Sequence, residues 1–193
     1  KNLLDSLDTS IDPSMFKDPV AEKTSWEPLN VAASNFQTRK FNIKNEDCIE
    51  FTPSYHFTFS TIIFIVLSAI IACLFIDVKL GLIFSSVGLA FVGGIQTIMI
   101  LCAAPIVFNK NEKTFVKGKG RKKMRLKFSE IYALQLVPAP LDEDRYLNYQ
   151  LNITLKDGKR EHVVTYYKDN LIATEVAQKV ARFVGVKLWN ATH

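Results

Sequence analysis

At 193 residues the chain has room for one compact domain with appendages, and a hydrophobic content of 48% is ordinary for a globular protein. Its net charge of +5 is unevenly spread: residues 1–56 carry 6 basic and 9 acidic side chains, residues 57–108 only Asp77 and Lys79, and residues 109–193 carry 17 basic and 9 acidic. Cys48, Cys73 and Cys102 form no CxxC pair, and their odd number speaks against a disulfide framework and a zinc site alike.

Residues 1–56 read as an extended N-terminal arm. The first part is polar, carries Pro13, Pro19 and Pro28, and shows no amphipathic period. "SWEPLN" sets Trp26 in polar surroundings, where it either anchors the arm on a partner surface or stands alone and exposed. "RKFNIKNEDCIEFTP" places Phe41, Ile43, Ile49 and Phe51 around an "NED" turn, which suggests a β-hairpin over 39–53.

Residues 57–104 are almost wholly apolar. A bilayer core of about 30 Å takes about 20 apolar residues as helix. Residues 57–76 supply one such length and residues 80–104 a second, with Asp77 and Lys79 between them. The expectation is a transmembrane helical hairpin that places both termini on one side. Lys110, Lys113, Lys117, Lys119, Arg121, Lys122 and Lys123 follow the second span, and the positive-inside rule makes that side cytoplasmic. Ser86, Ala90 and Gly94 share a face at four-residue spacing, the pattern of close helix packing. Ser68 and Ala72 offer a similar face on the first span.

After Pro105 the period changes. In "YLNYQLNITL", Leu147, Tyr149, Leu151, Ile153 and Leu155 alternate with Asn148, Gln150, Asn152 and Thr154, predicting a half-buried strand. Asp157-Gly158 signals a hairpin, and "REHVVTYY" returns. Residues 114–117 and 124–137 also read as strands, with a slip in alternation near Ser129-Glu130 that suggests a bulge. A last helix starts at an Asp169 or Asn170 cap, buries Ile172, Val176, Val180 and Phe183 with Ala173, Ala177 and Val184 beside them, and stops at Gly185. Residues 105–193 thus read as a small α+β domain, an antiparallel sheet covered by one helix.

The stretch "FSEIYALQLV…YLNYQLNITLKDGKREHVV…ATEVAQKVARFVGVKLW", behind two apolar spans, resembles bacterial two-span membrane proteins with a C-terminal PH-like domain. The resemblance implies a fold class of membrane helical hairpin plus α+β, with the sheet and its C-terminal helix in the cytoplasm at the bacterial inner membrane. It implies no reaction, since PH-like domains generally bind lipid or protein.

The run "VKGKGRKKMRLKF" over 116–128 holds seven Lys or Arg. Lys117, Lys119, Arg121, Lys122, Lys123 and Arg125 are the candidate contacts to lipid or to an acidic partner; the alternative is a solvated hairpin that marks the cytoplasmic side. Lipid-binding members of the resembled family carry a Lys…Lys/Arg-x-Arg pattern that Lys119, Lys123 and Arg125 match loosely. Phe115 and Phe128 flank the run but no aromatic interleaves it, which disfavours nucleic acid. His56, His162 and His193 are isolated, Asp142, Glu143 and Asp144 sit in a loop-like stretch, and no catalytic or metal motif and no cofactor is expected. The expected function is a non-catalytic integral-membrane accessory subunit that docks on a larger membrane protein complex, in contact with membrane lipids. The alternative is a stand-alone lipid-responsive binding module.

Overall fold

Short alternating runs, broken by Asn, Asp and Gly turns, fold here into two β-sheets flanked by the helix Asn170–Val184. The computed structural model describes residues 11–29, 39–54, 105–140, 147–167 and 169–192, together with Ile63, Val66, Leu67, Ile70, residues 86–88, Ala90, Phe91 and Gly94. The chain divides into two units, Lys1–Thr52 with Pro105–His193, and Pro53–Ala104.

In the first unit, β1 (Arg39–Asn45), β2 (Cys48–Pro53), β3 (Ile106–Asn109), β4 (Thr114–Lys117) and β5 (Met124–Lys127) lie side by side in that order. The antiparallel β2–β3 pair sets Phe51 opposite Ile106 and so closes the long intervening stretch. The second sheet runs in the order β8 (Arg160–Tyr167), β7 (Leu147–Leu155), β6 (Ile131–Pro140) and β9 (Lys187–Asn190). Its last pair, β6–β9, is parallel, and its others are antiparallel.

The strand read over 124–137 is in fact two strands in different sheets. A 3₁₀ turn, Phe128–Glu130, separates β5 from β6, and its Glu130 carboxylate accepts the Lys127 N–H. Such a corner lets one stretch of chain pass from sheet to sheet. The expected bulge lies just beyond it, where the register shifts between Ile131 and Ala133 and leaves Tyr132 as the extra residue. A second shift, between Leu151 and Asn152, leaves Val163 extra on β8.

One core joins both sheets. Phe51, Phe108 and Phe115 from the first meet Leu134, Leu136, Leu151 and Ile153 from the second, all at most 1% exposed. Phe108 and Phe115 have ring centroids 4.7 Å apart, within the range of favourable aromatic pairs. The helix Asn170–Val184 closes this core with Ala173, Val176, Ala177, Val180 and Ala181. The buried stripe is rotated from the expected one, because small alanines let the backbone approach closely while Ile172 is left 45% exposed. Asp169 is the cap, accepting the Ile172 N–H at 2.8 Å. Gly185 ends the helix in the left-handed conformation, φ 81°, which a side chain would disfavour. Counting the short helix α1 (Pro19–Lys23) first, this 15-residue helix is α2.

The expected membrane architecture is corrected. Among the described residues no helix is long and apolar enough to cross a membrane. Crossing needs both length and an apolar surface all round, whereas α2 has 15 residues and buries one face. The fold class is therefore two β-sheets with few helices, and the readings as a two-span transmembrane hairpin, as a membrane protein and as a resident of the bacterial inner membrane with cytoplasmic termini fall with it. Hydropathy registers a run of apolar residues but does not fix the helix they form. Much of that run, including residues 57–62, 71–85 and 95–104, lies outside the described residues, as do Ser68, Ala72, Asp77 and Lys79.

The second sheet is buried on both faces. Asn148, Gln150, Asn152 and Thr154, expected to face water, are each 0% exposed. The arm covers this side. Gln150 Oε1 accepts the Leu29 N–H at 3.0 Å, Gln135 Nε2 donates to the Ser25 carbonyl at 3.1 Å, and Arg160 donates to the Glu27 carbonyl at 2.8 Å. The polar side chains of one segment thus satisfy the backbone of another, as buried backbone groups require. The amides of Asn148 and Asn152 and the Thr154 hydroxyl have no hydrogen-bond partner among the described residues.

Candidate docking site at the basic end of the first sheet

Register decides which cations gather. Lys117 pairs with Met124 at the end of the β4–β5 ladder, so residues 118–123 form the connecting loop. The loop turns on Gly118, φ 100°, and Gly120, φ 59°, followed by a 3₁₀ turn over Gly120–Lys122. The Gly118 N–H donates to the Pro105 carbonyl at 3.1 Å and the Lys123 N–H to the Gly120 carbonyl at 3.1 Å. With the backbone held in this way, Lys119, Arg121, Lys122 and Lys123 all project into solvent. Arg125 stands apart on β5, in an ion pair with Glu112 at 2.6 Å. Both partners are 54% exposed, so the pair adds at most about 1 kcal/mol to stability.

Lys117, at the root of the loop, is half-buried and its Nζ donates to the His162 carbonyl oxygen. Burial holds the Lys117 amine below its ordinary range, the neighbouring Glu161 carboxylate pulls it back up, and Arg39 pushes it down again. Arg39 donates from Nη1 to the Phe51 carbonyl at 3.2 Å, and burial lowers its pKa too. The His162 ring is pushed down from its ordinary 6.5 to about 4, by burial first and then by Lys117 and Arg39. Its Nε2 lies 2.9 Å from Thr165 Oγ1. A neutral imidazole therefore sits among half-buried cations, with Glu161 the carboxylate that acts on Lys117. The arrangement can hold and orient an anionic group, carboxylate or phosphate, by charge-assisted hydrogen bonds.

Of the six sequence-selected cations, the fold thus gathers Lys117, Lys119, Arg121, Lys122 and Lys123 and engages Arg125 elsewhere. Arg39, Glu161 and His162 were missed. No local motif announces them, since they are brought in by strand pairing and by the bulge at Val163. Trp26 belongs to a different surface, the arm side of the second sheet. Its ring stacks on Phe16 at 4.7 Å and 4°, lies 5.9 Å from Trp189, and donates from Nε1 to the Ala21 carbonyl at 3.0 Å. Ser86, Ala90 and Gly94, in the Pro53–Ala104 unit, are helical and exposed, and a Cβ added at Gly94 would meet nothing within 4 Å. Asp142, Glu143, Asp144 and His56 lie outside the described residues. Among the described residues no three His, Cys, Asp or Glu side chains are grouped to hold a metal ion.

No family model matches the chain, and neither a curated protein nor a solved structure does.

Proposed function

We propose that the chain is a non-catalytic accessory subunit that docks on a larger protein complex. The observation that carries this reading is an apolar stripe in the Pro53–Ala104 unit. Ile63, Val66, Leu67 and Ile70 follow the i, i+3, i+4, i+7 spacing of one helix face, are in helical conformation, and are 43–54% exposed. Val87 and Phe91, one helical turn apart, are 62% and 68% exposed. Apolar surface grouped in this way is the mark of a partner-binding face. The basic loop supports the reading by supplying cations that steer an acidic partner into register.

The test is native mass measurement of the tagged chain, purified from its own cells under gentle conditions. Stoichiometric co-migration with partner chains is expected, and a Leu67→Asp, Phe91→Asp double variant, altered only at exposed positions, should lose it. A chain that runs alone overturns the reading. If that lone chain binds phosphatidylserine vesicles, and reversal of Lys119, Arg121, Lys122 and Lys123 to Glu abolishes the binding, a stand-alone lipid-binding module takes its place.

A further inference from the structure

β1 is the outer strand of the first sheet, and among the described residues nothing pairs with its free edge. Beside it lies an open groove of about 370 Å³ between the β1–β2 hairpin and α2. Its apolar lining is Phe41, Ile43 and Ile49 from the hairpin and Phe183 from the helix; its polar lining is Asn45 and Glu46 at the hairpin turn and Lys179 and Arg182 on the helix. Ile43 lines this groove and is 58% exposed. An unpaired strand edge beside such a channel is a template for one more strand.

The groove side of β1 carries Phe41 and Ile43, while Lys40 and Lys44 are exposed on the opposite face on either side of Asn42, whose Nδ2 donates to Glu50 at 3.3 Å. A strand laid against β1 must alternate in the same way, with one set of side chains entering the groove and the other meeting the lysines. The matching sequence has apolar residues in the first set and carboxylates in the second. A second copy of β1 does not fit. Its seven residues hold three cations and no acid, and antiparallel self-pairing centred on Asn42 sets Lys40 against Lys44 twice. On the helix rim, Lys179 is already closed on Glu175 at 2.6 Å. Arg182 spends its Nε on the Gln178 carbonyl at 3.4 Å and forms no ion pair among the described residues, leaving its outer guanidinium nitrogens to meet a carboxylate.

We propose that the free edge of β1 and the groove beside α2 bind an extended partner segment in which apolar and acidic residues alternate, added to the first sheet as a further strand. The site goes beyond the subunit reading and is separate from the basic loop, because the groove reaches the Asn45–Glu46 turn at the far end of the hairpin from Pro53.

The test uses the full chain and a short fluorescein-labelled peptide alternating valine and glutamate, with a valine–lysine peptide as control. Anisotropy should show the glutamate peptide binding at least about tenfold more tightly than the control, and saturation should slow hydrogen exchange of β1 backbone amides. Lys44→Glu should narrow or reverse the preference. Ile43→Asp should abolish binding with no change in the urea midpoint, since the side chain is more than half exposed; were that variant to unfold, Lys44→Glu decides the matter. Absence of binding, equal affinity for the two peptides, unchanged β1 exchange at saturation, or full binding by a folded Ile43→Asp chain would each overturn the proposal.

Discussion

His162 shows how one buried ring ties stability to pH. Its folded pKa is about 4 against an ordinary 6.5, because burial and then the Lys117 and Arg39 charges all disfavour the imidazolium. Above pH 6.5 both folded and unfolded chains keep the ring neutral, and its contribution is fully present. As pH falls, the unfolded chain binds the proton first. Stability is therefore lost between about pH 6.5 and 4, with a slope from this group of at most about 1.4 kcal/mol per pH unit. His162→Gln keeps a polar side chain at the position but removes the titration. Urea midpoints measured between pH 7 and 4.5 should fall less steeply in the variant than in the wild type, and parallel curves would show that the ring is not the group responsible. Thr165 is a bystander to the titration, because its hydroxyl can accept from or donate to Nε2 and so keeps the contact in either tautomer and in the imidazolium.

At the scale of the element, the basic loop depends on one glycine far more than on the other. A Cβ at Gly118 would collide with the carbonyl oxygen of Lys122, a backbone atom that cannot step aside. A Cβ at Gly120 would meet nothing within 4 Å, so only its positive φ of 59° is at issue. Gly120→Ala should therefore cost about 1 kcal/mol and leave the display of Lys119, Arg121, Lys122 and Lys123 intact. Gly118→Ala should cost more and also change the amide shifts of residues 117–124 in a heteronuclear NMR spectrum. Equal costs, or a spectrum unchanged outside the substituted residue, would mean that the loop is not held by this close approach. The loop also marks what could and could not be read from the chain. Strand alternation in "YLNYQLNITL", the Asp157-Gly158 turn, the Asp169 cap and the Gly185 stop are short-range patterns, and each names its own element. The corner at Phe128–Glu130 is not short-range, because β5 and β6 read as one strand until the sheets they join are known. The clustered lysines were legible as charge. Their half-buried companions Arg39, Glu161 and His162 were not, because register between distant strands assembles them. Hydropathy over residues 57–104 pointed to membrane spans that no described helix has the length to make.

At the scale of the whole molecule, the N-terminal arm is the element that makes the second sheet a central layer. Without it, Asn148, Gln150, Asn152 and Thr154 would have the solvated face that their alternation suggests. With it, the arm backbone bonds to Gln135, Gln150 and Arg160, and Phe16, Val20 and Trp26 pack against Tyr132 and the nearly buried Trp189. Asp18 fastens this seam. Its carboxylate accepts the Val20 N–H that starts α1, the Tyr132 hydroxyl at 3.0 Å and the Lys187 ammonium at 3.0 Å. Burial pushes the group's pKa up, yet the hydrogen bonds from Lys187, Val20 and Tyr132 together hold it below the ordinary carboxylate value. The Lys187 side chain is 68% exposed while Asp18 is 2% exposed, so the ion pair is solvated from one end and worth little. The cap and the Tyr132 bond should dominate, and Asp18→Ala should cost about 2 kcal/mol against under about 1 kcal/mol for Lys187→Ala. The two tryptophans of the chain, Trp26 and Trp189, both lie in this seam, so their fluorescence reports arm docking while far-ultraviolet dichroism reports the sheets. In Asp18→Ala the fluorescence transition in urea should precede the dichroism transition, as expected when a locally held element opens first. Coincident transitions at the wild-type midpoint, or a Lys187→Ala cost equal to that of Asp18→Ala, would show that the arm is held by something other than the bonds converging on Asp18.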